Sequence, residues 1–117
     1  MIPPGWPEGM CDPDDAEFPD RATRWLWDVG AVPRELDSVW SRQPRALAFR
    51  VGHDLRGRLD GTRTAYSRAR QELGGTGVSI EAVLSALEAE AADLQGRIRE
   101  VGLVGEALAG LRWRDRL

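Results

Sequence analysis

"VSIEAVLSALEAEAADLQGRIREVGLVGEALAG", residues 78–110, is the stretch on which the fold turns. Ile80, Leu84, Leu87, Ala91, Leu94, Ile98, Val101, Gly105 and Leu108 follow one another at alternating spacings of four and three. An α-helix brings such positions onto one stripe, and a sustained seven-residue repeat is the seam of coiled-coil packing. Val83, Val104 and Leu111 widen the stripe, as in a helix with more than one neighbour.

The first neighbour lies upstream. Pro44 suits the first turn of a long helix, with Ser41 or Gln43 near its cap, and the run ends at "LGGTG", residues 73–77. Along it Ala48, Val51, Leu55, Leu59, Thr62, Tyr66, Ala69 and Leu73 form one broad apolar stripe. Gly52, Gly57 and Gly61 fall off that stripe, and each weakens the helix by up to about 1 kcal/mol relative to alanine. The two long segments have opposite charge. Residues 44–73 carry seven arginines and three acids, and residues 78–110 carry six acids and two arginines.

An antiparallel hairpin turning near Gly75 therefore sets a basic arm against an acidic one. It faces Arg70 with Glu81 and Arg63 with Glu88. Each exposed pair contributes only about 0.2–1 kcal/mol and selects register more than it stabilises. This reading also accounts for "RGRLDGTRTAYSRAR", residues 56–70, better than a phosphate-gripping surface does. Arg56, Arg63 and Arg70 recur every seventh residue beside the apolar stripe.

Two shorter helices are expected before the hairpin. "DRATRWLWDVG", residues 20–30, places Ala22, Trp25, Leu26 and Val29 on one face, with Asp20 as cap and Gly30 as stop. "VPRELDSVWSRQP", residues 32–44, gives Leu36, Val39 and Trp40 one side of a helix of about two turns. Residues 1–19 are an acidic, Pro-rich arm expected to be mobile or extended, with Phe18 and Trp6 as pinning points. Residues 20–112 form a single helical domain, and residues 113–117 a basic C-terminal tail.

The composition bounds the chemistry. The 117 residues make one domain at most, of net charge −3, which is no general polyanion binder. All sixteen basic residues are arginine, the composition of a GC-rich genome. The single Cys11 excludes an internal disulfide and a Cys-based zinc site, and His53 stands alone. With no apolar run of membrane-spanning length and no signal-peptide pattern at the start, a cytoplasmic location is expected.

Catalytic patterns are lacking. His53 and Asp54 are adjacent, and helix neighbours one residue apart point about 100° from each other. "LGGTG" follows a helix rather than a strand and lacks the P-loop lysine. "DPDDAE", residues 12–17, has no EF-hand spacing. The expectation is a protein that is not an enzyme and takes no cofactor or metal.

The run "DRATRWLWDVG…RQPRALAFRVGHDL…ARQELG…LEAEAADL…VGLVGEALAG" resembles small, uncharacterised helical proteins of high-GC actinobacteria over about residues 20–110. The resemblance brings no activity or functional residue with it.

The fold expected is all-α, a long antiparallel helical hairpin with two short N-terminal helices, bundle-like. A hairpin with arms of about 45 Å has more apolar surface than two short helices cover, so a partner is expected, most simply a second copy in a homodimer. Trp27, Phe49 and Trp113 lie off the main stripes and are interface candidates. The function expected is a non-catalytic protein–protein interaction module, self-associating or an accessory subunit. One alternative is a nucleic-acid or ribonucleoprotein-associated factor using Arg112, Arg114 and Arg116 around Trp113. The other is a helical bundle that binds an apolar small molecule.

Overall fold

A long helix beginning at a proline and stopping at a glycine pair dominates the computed structural model, which describes residues 1–33 and 37–114. The described residues are all-helical, with no strand. Helix α1 spans Phe18–Val29, α2 Asp37–Trp40, α3 Pro44–Leu73 and α4 Ile80–Leu108.

The boundaries follow local chemistry. α1 begins two residues before Asp20 because Pro19, whose ring presets φ, fits its first turn, and Asp20 lies inside the helix. α3 opens at Pro44, with Gln43 at its cap. It closes at Gly74, and Gly75 and Gly77 turn the chain with φ of 79° and 85°, values that other residues rarely adopt. α4 starts at Ser79, whose Oγ accepts a hydrogen bond from the Ala82 amide at 3.3 Å. Of the second predicted helix only Asp37–Trp40 is observed as helix, and Leu36 lies outside the described residues.

α3 and α4 share the most extensive contact in the molecule. A Cβ placed on Gly52 would meet Val101 Cγ1 at 3.8 Å, and one on Gly105 would meet Ala48 Cβ at 3.5 Å. Facing positions therefore add to about 153, where a turn centred near Gly75 gives about 151, a slip of roughly one to two residues or 3 Å along the helix. Gly52, expected off the stripe, is buried against α4, while Gly57 and Gly61 face open space.

The core has two parts. The larger joins Leu26 and Val32 to Leu47, Val51, Leu55 and Leu59 of α3 and to Leu94 and Val101 of α4. The smaller joins Phe18 and Ala22 of α1 to Val104 and Ala107, on the second face of α4. Leu26, Leu47, Leu55, Val51 and Val104 are the largest fully buried side chains, each contributing roughly 1.5–3 kcal/mol from burial. α1 is fastened to α3 at its end: the Ala31 amide donates to Asp54 Oδ2 at 3.2 Å. Gly30 is seated so tightly that a Cβ there would lie 2.7 Å from Val51 Cγ2.

Residues 1–17 do not run extended. They fold in successive turns, and Pro3, Pro7 and Pro13 are buried. The Trp6 indole N–H donates to the Cys11 carbonyl at 3.1 Å, and its ring lies 5.7 Å from that of Phe18. Acidic and proline-rich composition argued for a mobile or extended arm. The second apolar face of α4, at Val104 and Ala107, supplies the surface against which Trp6, Met10 and Cys11 of the arm pack, half-buried.

Candidate interaction surface

The predicted hairpin charge pairs are not formed as ion pairs. Arg63, Arg70, Glu81 and Glu88 are all exposed, and among the described residues no contact within ion-pair distance joins Arg63 to Glu88 or Arg70 to Glu81. The slip in register explains this. Glu88 meets Tyr66 instead, accepting a hydrogen bond from its Oη at 3.0 Å. That bond to an anion, with the carboxylate's charge behind it, holds the Tyr66 hydroxyl above its ordinary pKa.

The basic tail divides. Arg112 is committed within the molecule: its Nε donates to Asp14 Oδ1 at 2.8 Å, Nη1 to the Ala107 carbonyl at 2.8 Å, and Nη2 to the Pro13 carbonyl at 3.2 Å. It clamps the N-terminal arm to the end of α4, and its hydrogen bond holds the Asp14 carboxyl below the usual carboxylate range. Arg114 is exposed, and Arg116 lies outside the described residues. The acid that binds Arg112 was legible only as part of an acidic block, since nothing in sequence marks two positions 98 residues apart as neighbours.

The three interface candidates also part company. Trp27 is half-buried and packs against the larger core, because α1 contacts both long helices and a broad face of it is covered. Trp113 is 37% exposed and lines a small cavity of about 120 Å³ with Pro3, Trp6 and Arg112. Phe49 is 65% exposed, the most exposed of the aromatic side chains, and meets the His53 ring edge-on at 4.7 Å.

Phe49 stands on the rim of a groove of about 260 Å³ between α3 and α4. Small residues line it, Ala48 and Gly52 from α3 and Gly102, Gly105 and Ala109 from α4, with Ile98 and Val101 beside them. Its charged lining is of one sign: Arg45 and Arg56 line it, beside His53, and no acid does. Among the described residues neither Arg45 nor Arg56 has an ion-pair partner.

A second open surface lies toward the turn. The larger core cluster ends at Leu59 and Leu94, and beyond it Thr62, Ala69 and Leu84 are the buried side chains. There Ile80, Val83 and Leu87 are only half-buried, and Tyr66 and Val78 are 41% and 46% exposed. Among the described residues no helix is long and apolar enough to cross a membrane, and no cluster of His, Cys, Asp and Glu is placed to hold a metal ion. No family model, no curated protein and no solved structure matches the chain.

Proposed function

We propose that the chain is a non-catalytic protein–protein interaction module that self-associates. Its scaffold is a long antiparallel helical hairpin, with α1 and α2 as the two short N-terminal helices, and its partner is a second copy packed on the half of the hairpin near the turn. The observation that carries this reading is the incomplete cover of that half, where Leu87, Val83 and Ile80 keep part of their surface in water. Isolated two-helix segments bury too little apolar surface to be satisfied alone, and a four-helix bundle is the common solution.

Charge favours a second copy in that position. The exposed Arg63 and Arg70 lie on one side of α3, and the exposed Glu81 and Glu88 on one side of α4, as a basic and an acidic stripe. A twofold axis that sets α3 of one copy beside α4 of the other pairs the two stripes twice.

Sedimentation equilibrium tests the reading. The expected mass is twice the 13.0 kDa of one chain. Leu87→Glu, which places a charge in the proposed contact, returns the monomer with its helical content retained. A monomer at every concentration up to ~100 μM, where even weak specific dimers are populated, refutes self-association.

A further inference from the structure

We propose that the groove beside Phe49 is a docking site for an amphipathic helix with acidic flanks, supplied by another protein. The inference rests on the reading of the chain as an interaction module and adds the chemistry of a second partner. Three independent features of the groove agree on it.

The first is shape. Two packed helices leave a furrow into which a third helix fits, and the approach is closest where the furrow is lined by residues without bulky side chains. Gly52, Ala48, Gly105, Gly102 and Ala109 provide such a lining. From Arg45 to Arg56 the furrow is about 16 Å long, enough for about three turns of a partner helix.

The second is the exposed aromatic ring. Phe49 keeps 65% of its surface in water. His53, one turn along α3, meets the ring edge-on, and both side chains line the groove. Aromatic side chains on a groove rim are the usual anchors of helix-in-groove recognition.

The third is charge, and it decides the occupant. Arg45 and Arg56 stand at the two ends of the α3 wall, and among the described residues neither has an ion-pair partner. A helix with Glu or Asp flanking an apolar ridge satisfies both guanidinium groups as it buries the ridge. A second copy does not fit here, because a twofold contact through this groove brings the basic rim onto itself. The chain's own acidic arm is already held by Arg112 on the other side of α4.

The test uses two labelled synthetic helical peptides of the same apolar ridge, one flanked by glutamates and one by lysines, titrated by fluorescence anisotropy. The acidic peptide is expected to bind and the basic one to bind at least about tenfold more weakly. Gly102→Leu puts a bulky side chain at an exposed position of the groove lining where an added Cβ meets nothing within 4 Å, and is expected to weaken the acidic peptide about tenfold with helical content, read by circular dichroism, retained. Phe49→Ala acts in the same direction, and Arg45→Glu with Arg56→Glu inverts the preference between peptides.

Equal binding of the two peptides overturns the proposal, as does no binding of either up to ~1 mM. Sedimentation of the same variants separates this proposal from self-association. If Gly102→Leu or Phe49→Ala converts a dimer to a monomer, the groove is a contact between copies and the proposal fails. A monomeric chain that still discriminates between the peptides removes the dimer and leaves the groove standing.

Discussion

Adding a single methyl group at Gly30 tests the packing of α1 on α3. Gly30 has φ −90° and ψ 155°, a conformation open to alanine, so the backbone raises no objection. The obstacle is Val51. An added Cβ would lie 2.7 Å from its Cγ2 and 3.0 Å from its Cγ1, with the Leu26 carbonyl oxygen at 3.3 Å. Val51 is fully buried and β-branched on a helix, where one χ1 rotamer dominates, so it cannot rotate both methyls away.

Overpacking of this kind costs about 1–3 kcal/mol, against a gain of about 0.4–1 kcal/mol from stiffening the unfolded chain. Gly30→Ala is therefore expected to destabilise by about 1–2 kcal/mol and to lower Tm by about 4–8 °C. Urea denaturation followed by tryptophan emission measures it. Val51→Ala alone is expected to cost roughly 2 kcal/mol through lost burial and a cavity. The double variant should cost less than the two together by about 1 kcal/mol, because the new methyl occupies space the old ones left. A neutral or stabilising Gly30→Ala, or strict additivity with Val51→Ala, refutes the claim that the two residues are in rigid contact.

Gly57→Ala and Gly61→Ala supply the opposite sign. Both positions are exposed on α3 and an added Cβ meets nothing within 4 Å, so each should stabilise by up to about 1 kcal/mol in the same denaturation assay. Acid should loosen the N-terminal arm before the helices melt. The Asp14 carboxyl is held low by Arg112, and that of Asp12 by the backbone N–H of Asp14. Carboxyls depressed in the folded state add stability that is complete above the ordinary carboxylate value, about pH 4, and is lost as pH falls through their lower folded values. Emission from Trp6, isolated by comparison with Trp6→Phe, should change at higher pH than far-ultraviolet circular dichroism does. Simultaneous change of the two signals contradicts a separate arm.

The all-helical character was legible because two long apolar stripes keep one period, and because Pro44 and the glycine pair at 74–75 mark the ends of the first. Register was less legible. The turn extends from Gly74 to Ser79, and a centre displaced by about one residue is enough to send Glu88 to Tyr66 and away from Arg63. The arm was misread for a different reason. Val104 looked like a widening of one stripe, yet it is part of a second face of α4, and Trp6, Met10 and Cys11 of the arm pack on it. Phe49 was visible as an apolar residue out of register with its helix. The groove beside it was not, because it takes residues from two helices and depends on which glycines of each face the same way.

The Arg112 clamp has a consequence for the order in which the molecule forms and opens. α3 and α4 meet across the short turn between Leu73 and Ile80, whereas Arg112 and Asp14 are 98 residues apart. Closing the short loop sacrifices far less chain entropy, so the long helices are expected to zip before the arm finds them. The same asymmetry governs opening. Amide protons of residues 3–18 and of 107–112 should exchange together, as one cooperative unit drawn from distant parts of the chain, while the interior of α3 and α4 stays protected until the whole molecule unfolds.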